Sequence, residues 1–480
     1  MKPIKNVTLI ALVFAAIARI GAQAPVRDTV AEARRLHDAG NLAAVEGLLR
    51  PYLASHPDNG DAARILAQTL YWLNRQADAR TLYDAAMARH PEDVTLRVDY
   101  GRMLKETGDL TTAARLFGDA LRADSTQKEA RRQLAEIMTL TASWVRAAAT
   151  WRHDDQTLDQ FGGDVQAGWY ATPLLALSAR VRPMEFHLGD SVTRTVTVAE
   201  LVASDYFPEA RLETEVAGGV LQRSYGASSD WAGRLALGFR LPQHLTFRFR
   251  AEREPYLYTL ASLSTPVMTQ TLAATLDLNG SHGWLGQATA QQDRYPDANS
   301  VRTAYAWVLA PLVYNATGEL QIGYSITAQN SDQSRFVLAN SSQAFSPGNP
   351  RFSLLGVYVP YYTPDNLLAQ SVLIAFARKS SSGFEFRGSA AVGVHATDDA
   401  PVFNIVSTTS PTTSTVQRVF VPRVFTPWNI RGSLAAPLSD AWRLDVIGEY
   451  AHTVFYTSAT ASVQLTYKFL AGAKRLAERH

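Results

Sequence analysis

The chain has 480 residues, more than one ordinary domain holds, so at least two domains are expected. Its formal net charge is only +2 at pH 7, which gives no reason to expect a nucleic-acid partner, since nucleic acid requires a concentrated basic surface. The chain contains no cysteine, which excludes disulfides, thiolate metal sites, cysteine nucleophiles and the lipidated cysteine of a lipoprotein.

Residues 1–24 are predicted to be a secretory signal peptide. Lys2 and Lys5 form a basic start, residues 7–18 an apolar core, and residues 21–24 a small-residue cleavage zone. The apolar core is too short to span a bilayer as an anchor helix. Cleavage fits after either Ala22 or Ala24, and an exported chain is expected.

Residues 25–140 are predicted to be a helical-repeat domain of the tetratricopeptide (TPR) type. Three units repeat with a period of about 34 residues, the length of one TPR helix pair. Small residues recur where two helices must approach closely, and turn-forming residues recur between the helices. The framework positions are Ala33, Gly40, Pro57, Ala67, Ala79, Tyr83, Pro91, Gly101, Gly108, Ala113 and Phe117.

A further helix is predicted over about residues 127–138, where it would cap the last repeat. Grooves of such repeats hold an extended peptide or a partner protein. The alternative is a spacer that only positions the next domain, and the sequence does not decide between the two.

Residues 141–470 are predicted to form an antiparallel transmembrane β-barrel of about 16 strands. Segments of about ten residues alternate in polarity: residues 245–252, for example, place Leu, Phe, Phe and Ala on one face and Thr, Arg, Arg and Glu on the other. A soluble sandwich has the same period. The export signal, the length of the segments and the aromatic Phe469 after the last strand favour the barrel.

An even number of strands returns both ends of the barrel to the periplasm, which predicts a periplasmic TPR domain and an outer-membrane location in contact with lipid. The polar stretches 330–350 and 398–416 suit extracellular loops or an inward-folded constriction. Residues 471–480 form a basic tail after the barrel.

The polar strand faces predict a hydrated lumen. Its mixed charge suits a neutral or weakly charged hydrophilic chain better than a strongly acidic one. The candidate lumen residues are Glu213, Glu215, Arg248, Arg250, Arg387, Arg443, Asp445 and Glu449.

No catalytic residue, metal site or cofactor is assigned. Gly189, Asp190 and Ser191 match the start of an esterase motif, but they lie between alternating strands and are explained by a turn. The histidines show no metal-ligand spacing. Glu213 and Glu215 share a strand face, as a glycosidase pair would, yet lumen wall is the simpler interpretation.

The order of signal peptide, TPR units and large barrel resembles the outer-membrane exporters of bacterial exopolysaccharides, such as the outer-membrane component of cellulose synthase and the poly-N-acetylglucosamine porin. Tyr361, Tyr362 and Pro364, in the run of residues 361–366, look like the aromatic-aromatic-Ser-Pro-Gln turn of the cellulose exporter's barrel. Thr363 and Asp365 replace Ser and Gln, and the repeats are fewer than in that family.

This resemblance implies an outer-membrane channel for an exopolysaccharide such as cellulose, whose TPR units dock periplasmic or inner-membrane synthase components. No cofactor and no enzymatic activity are implied. Two alternatives stay open: a plugged barrel that anchors a periplasmic interaction domain, and an outer-membrane hydrolase with its site at the barrel rim.

Overall fold

The computed structural model describes residues 28–155, 158–188, 192–226, 229–241, 244–280, 283–315, 317–338, 356–409, 412–454 and 456–470. The predicted signal peptide, the turn at residues 189–191 and the basic tail lie outside the described residues. The chain divides into two compact units after Ile137. Each unit is described by itself.

The first unit is built from helices that pair along the chain. Within the described residues these are α1 (Thr29–Asp38), α2 (Leu42–Ser55), α3 (Gly60–Trp72), α4 (Gln76–Arg89), α5 (Val94–Glu106), α6 (Leu110–Ala123) and α7 (Lys128–Leu140). None of the described helices is both long enough and apolar enough to cross a bilayer.

Side-chain caps and left-handed turns fix where the helices begin and end. Asp28 and Asp93 accept hydrogen bonds from backbone N–H groups in the first turns of α1 and α5. The turn between the two helices of each unit carries a positive φ: +74° at Gly40, 60° at Asn74 and +93° at Gly108. Equivalent positions therefore adopt equivalent backbone in all three units.

The predicted TPR framework residues lie where the helices meet or turn. A Cβ atom on Gly101 of α5 would stand 2.9 Å from the Phe117 ring of α6, so only glycine allows this approach. Pro57 and Pro91 lie in the turns that follow α2 and α4. The fully or almost fully buried framework side chains are Ala33, Ala67, Ala79, Tyr83, Ala113 and Phe117.

Helix α7 covers the end of this stack. Its Ala130 and Ile137 are buried in the same apolar core as the three helix pairs. The Nζ of Lys105 on α5 donates to the Oε1 of Gln133 at 2.6 Å and pairs with Glu136. The helices form a TPR solenoid with a capping helix, as the sequence predicts.

The second unit contains nineteen strands within the described residues. They are β1 (Trp144–Asp154), β2 (Leu158–Tyr170), β3 (Ala176–Leu188), β4 (Val192–Phe207), β5 (Leu212–Arg223), β6 (Ser229–Leu241), β7 (Leu245–Pro255), β8 (Met268–Asn279), β9 (Leu285–Arg294), β10 (Ser300–Asn315), β11 (Gly318–Ser331), β12 (Phe336–Leu338), β13 (Gly356–Tyr358), β14 (Leu367–Lys379), β15 (Glu385–Thr409), β16 (Thr412–Val424), β17 (Trp428–Pro437), β18 (Trp442–His452) and β19 (Thr457–Lys468).

Sixteen of these strands form a closed antiparallel barrel, which confirms the predicted fold class. Each wall strand pairs with the next along the chain, and β1 closes the ring on β19 from Trp144↔Lys468 to Asp154↔Ser458. We call the end of the barrel at Trp144 and Lys468 the terminal end, and the opposite end the mouth. Closure leaves the wall without a free edge.

Three of the described strands stand outside the wall. Strand β15 pairs with β17 only through residues 385–392, and beyond the wall it pairs with β16 through residues 397–409. The described parts of the polar stretch 398–416, residues 398–409 and 412–416, therefore contribute to a projecting hairpin arm at the mouth. Strands β12 and β13 form a separate short hairpin; residues 339–350 of the other predicted loop lie outside the described residues.

Large apolar side chains cover the outer face of the barrel. Trp151, Phe161 and Trp231 are exposed near the mouth, and Trp169 and Trp442 are exposed near the terminal end. Two aromatic girdles around an apolar band are typical of a barrel that spans the outer membrane.

The close contact at Gly101 gives a test of the helical unit. Gly101→Ala should lower the free energy of unfolding of this unit by about 1–3 kcal/mol, because the added methyl group overpacks the buried Phe117 ring. Gly47→Ala is the matched control: it lies on α2 with open space around its Cβ, and should raise that free energy by about 0.5–1 kcal/mol. Urea unfolding in detergent micelles, followed by the helical circular dichroism signal, measures both. Equal effects of the two substitutions would contradict the packing described.

Candidate functional site in the barrel lumen

The polar face of the strands points into the barrel. The Nη2 of Arg182 on β3 lies 3.4 Å from the Oε1 of Glu254 on β7, although three strands separate β3 and β7 along the wall. Side chains so far apart on the wall meet only through the interior. The strand alternation then places every second residue in the lumen.

One side of the lumen, on β2 to β8, is lined by charges that pair with one another. Asp164 and Arg180 are joined at 2.6 Å. Arg182 lies 3.2 Å from Glu200 on β4 in addition to its contact with Glu254. Because these charges neutralise one another, the charged wall is mainly a brace between strands.

All eight candidate lumen residues lie on the inward face, since the strand register aligns them with the residues that meet inside. The structure does not gather them into one cluster. Each has a partner of opposite charge: Glu213 with Arg240, Glu215 with Arg234, Arg248 with Asp277, Arg250 with Glu252, Arg387 with Glu385, Arg443 with Asp445, and Glu449 with Arg431.

The other side of the lumen, on β10, β11 and β14, is uncharged from its middle to the mouth. Its inward positions carry small, aliphatic, hydroxyl, amide and aromatic side chains. Apart from Thr303, the residues named below line a cavity of about 700 Å³, which Glu449 of β18 also borders. The indole Nε1 of Trp307 donates to the Oε1 of Gln287 on β9 at 3.3 Å, which fixes the ring. The inward residues of this uncharged wall are Thr303, Tyr305, Trp307, Leu309, Ser325, Thr327, Gln329, Leu367, Ala369, Ser371, Leu373 and Ala375.

The β7–β8 connection, residues 256–267, folds into the mouth. Its Leu263 is fully buried and packs in one apolar cluster with Phe186 of β3, Val196 of β4 and Leu221 of β5. All three belong to inward strand faces. The connection therefore narrows the charged side of the lumen, and the sequence signal for this is its apolar composition, with Leu257, Leu260 and Leu263 in a connection between strands.

Residues 356–366, which contain the predicted barrel motif, narrow the lumen from the other side. The Tyr361 ring stacks on Tyr295 with centroids 3.5 Å apart, and its hydroxyl donates to the Asp297 carboxylate at 2.7 Å. The Nε of Arg335 lies 2.7 Å from the same carboxylate. We call Tyr361, Asp297 and Arg335 the latch. Of the other motif residues, Pro364 is buried, and Tyr362 lines the 700 Å³ cavity.

The two mouth segments also touch each other. The backbone N–H of Tyr362 donates to the hydroxyl of Tyr256 at 3.2 Å, and the Thr259 hydroxyl donates to the carbonyl of Pro360. The mouth is thus narrowed by two connections that hold one another in place.

The latch keeps its carboxyl group ionised. Burial acts to raise the pKa of Asp297, but hydrogen bonds from the Tyr361 hydroxyl and the Asn299 backbone, with the Arg335 guanidinium, outweigh it and hold that pKa below its usual value. Burial raises the pKa of Tyr361, so its hydroxyl stays a donor.

The TPR unit carries a small groove with an exposed aromatic residue. Trp72 is 53% exposed and its ring lies 4.5 Å from the ring of His37. Burial and a hydrogen bond with Glu106 raise the pKa of the neighbouring Tyr71 to about 12. Exposed aromatic rings beside charged groups are typical of protein contact surfaces.

Within the described part of the chain, no group of three histidine or acidic side chains is arranged to hold a metal ion. The predicted turn at Gly189, Asp190 and Ser191 lies outside that part.

Comparison with known proteins supports the fold. No protein-family model and no curated protein matches the chain. Among solved structures, a bacterial polysaccharide outer membrane secretin is 9% identical with a TM-score of 0.51, over 69% of this chain and 99% of that one. CdiB from Acinetobacter baumannii is 11% identical with a TM-score of 0.40, over 68% of this chain and 60% of that one. PilF of Pseudomonas aeruginosa is 19% identical with a TM-score of 0.22, over 23% and 50%. The second unit is a barrel of the outer-membrane type.

If the latch keeps the mouth narrow, weakening one of its contacts should open the mouth more often. Tyr361→Phe removes a hydrogen bond to a charged group, so the ratio of open to closed mouth should rise about tenfold. Conductance steps in planar bilayers measure this ratio. Tyr450→Phe, on the exposed outer face, is the matched control and should leave it unchanged. Identical conductance of all three proteins would show that the latch does not hold the mouth.

The lowered pKa of Asp297 predicts an acid dependence. The ionic part of the latch is fully present above the ordinary aspartate pKa of about 3.9 and is lost as pH falls through the lowered pKa. Opening should therefore increase at acid pH. In Asp297→Asn the mouth should be more open at neutral pH and should lack this acid step. Conductance recorded from pH 7 downwards, on both proteins, separates this step from the titration of other carboxylates.

Proposed function

We propose that this protein is an outer-membrane channel that exports an exopolysaccharide, a cellulose-like neutral chain, and that its TPR unit docks partner proteins. The uncharged wall is the observation that carries the proposal. A hydroxyl-rich chain leaving water needs hydrogen-bond partners and apolar ring faces rather than fixed charges. The uncharged wall offers both, from Ser325, Thr327 and Gln329 beside the rings of Tyr305 and Trp307.

The charged wall is consistent with the same substrate. Its arginines and carboxylates pair across neighbouring strands, so they present little net charge to a passing chain. A strongly acidic or basic polymer would instead favour unpaired charges of one sign along the lumen.

Connection lengths support the orientation of the barrel. The connections at the terminal end are short, such as residues 208–211 and 438–441, whereas residues 256–267 and 332–366 connect strands at the mouth. Outer-membrane barrels have short periplasmic turns and longer outer loops. In this proposal residues 25–140 form a periplasmic domain, residues 141–470 form the pore, and the signal at residues 1–24 directs export.

The TPR unit would then face the periplasm, where its groove at Trp72 would receive a segment of a periplasmic or inner-membrane synthase component. The exposed ring beside Tyr71 and Glu106 is the observation that favours docking over a passive spacer.

A plugged barrel that anchors the TPR unit is the second candidate. It is favoured by Leu263 and Tyr361, which fill the mouth from two sides. Hydrolysis has less support, because Glu213 and Glu215 each pair with an arginine. A general acid must hold its proton at the working pH, and a neighbouring positive charge opposes this.

The channel proposal predicts block by neutral sugars. Cello-oligosaccharides should reduce the current through the reconstituted protein, and Trp307→Ala should weaken this block about tenfold, because a stacking ring contributes about 1 kcal/mol or more. Trp169→Ala, an exposed ring on the outer face, is the matched control. Anionic oligogalacturonates should block less.

A protein that conducts no ions even after removal of residues 257–266 and loosening of the latch would favour the plugged anchor. Conduction with equal block by neutral and anionic sugars would contradict the proposed substrate class.

A further inference from the structure

The aromatic girdle at the mouth is interrupted on one part of the outer face. Trp151, Phe161 and Trp231 occupy the girdle on β1, β2 and β6. On β8 to β11 most outward positions at this level carry amides and arginines instead, beside Leu272 and Ser300. These girdle-gap residues are Gln270, Gln292, Arg294, Arg302 and Asn330.

The strand register sets these residues in two rows. Arg253 of β7, Gln270 and Arg294 lie opposite one another across three strands. Gln292, Arg302 and Asn330 form the next row towards the terminal end. All have the same strand parity as the exposed Leu272 and Val308, so they face outwards.

Two of the arginines have free capacity for an anion. Arg294 is exposed; it donates to Gln292 at 3.4 Å, and no acidic partner for it occurs in the described part of the chain. Arg302 is 67% exposed and lies 3.0 Å from the exposed Asp332. Arg253, in contrast, is held by Asp230 at 2.8 Å and by the Trp231 ring.

An apolar groove lies directly below the arginines, on the side of the membrane core. Its floor is a row of alanines in register across β8, β9, β10 and β11, between Phe249 and Leu368. Together with Arg302 and Asn330 at its upper edge, it borders an open depression of about 710 Å³. The row consists of Ala274, Ala290, Ala304 and Ala328.

We propose that the girdle gap binds a phosphorylated, multiply acylated glycolipid of the outer leaflet, of the lipid A class. Its phosphate groups would lie on Arg294 and Arg302, with hydrogen bonds from Gln270, Gln292 and Asn330, and one acyl chain would lie along the alanine row. The proposal rests on the orientation proposed above, with the mouth outwards.

Charge complementarity selects this occupant. Any acyl chain fits a groove of alanines, but exposed guanidinium groups at the edge of the hydrocarbon region favour an anionic head group, and arginine binds phosphate through two parallel hydrogen bonds. A sugar-phosphate head also uses the amide side chains between the arginines. A zwitterionic phospholipid leaves Arg294 without a net negative partner.

The test measures binding of bisphosphorylated lipid A to the full-length protein in detergent micelles by microscale thermophoresis. The double variant Arg294→Gln and Arg302→Gln should bind it about tenfold or more weakly, because two hydrogen-bonded ion pairs are lost. Arg378→Gln, an exposed outward arginine at the terminal end of β14, is the matched control and should bind like the unchanged protein.

Lipid A stripped of its phosphates is the second probe. The unchanged protein should bind it about tenfold more weakly than the bisphosphorylated form, and the double variant should no longer distinguish the two. Equal binding of both lipids by the unchanged protein, or undiminished binding by the double variant, overturns the proposal. If this surface binds a protein and not a lipid, the arginine substitutions should change the affinity for neither lipid.

If the double variant does not fold, the same measurements are made on the two single variants. Their folding is checked by the β-sheet circular dichroism signal. Ion conductance is measured on every variant. Lost lipid discrimination with unchanged conductance separates this site from the channel function.

Discussion

The pairing of backbone N–H and C=O groups in lipid is the constraint on which the barrel depends. An unpaired backbone group in hydrocarbon costs several kcal/mol, so a sheet in a membrane must close on itself. The β1–β19 pairing provides that closure over eleven residue pairs, from Trp144 to Asp154. Closure in turn fixes the two faces of every strand, because a slip of one residue would turn charged side chains towards lipid.

When these strands close into a barrel, the lumen has one charged wall and one uncharged wall. Charged residues on the inward faces of β2 to β8 have neighbours of opposite sign within reach, and they pair, as Arg234 and Glu215 do at 2.7 Å. Strands β10, β11 and β14 carry few charges, so their inward faces stay neutral. Because one side of the lumen is charged and the other is neutral, the 700 Å³ cavity lies beside Trp307 and not among the paired charges of β2 to β8. In the proposed channel, the substrate's chemistry is thereby matched by one side of the lumen.

Local periodicity made the helical repeats, the barrel and the inward direction of residues such as Arg248 predictable, because strand parity and repeat length are properties of neighbouring residues. Contacts between distant residues were not predictable. The burial of Leu263, for example, depends on three strands that lie 42 or more residues earlier in the chain.

The two mouth segments are held by different forces, which gives them different roles in the proposed channel. Leu263 is held by apolar burial among Phe186, Val196 and Leu221, and a hydrated sugar chain cannot replace those contacts. The ring of Tyr361 is also buried, against Tyr295, but its hydroxyl is held by a hydrogen bond to Asp297, which hydroxyl groups of a polysaccharide can exchange. A chain moving towards the mouth along the uncharged wall meets Tyr362, beside that latch, first. The hydrogen bonds at Asp297, which a sugar chain can replace, therefore lie on the uncharged side of the lumen. The apolar contacts of Leu263, which it cannot replace, lie against the charged wall.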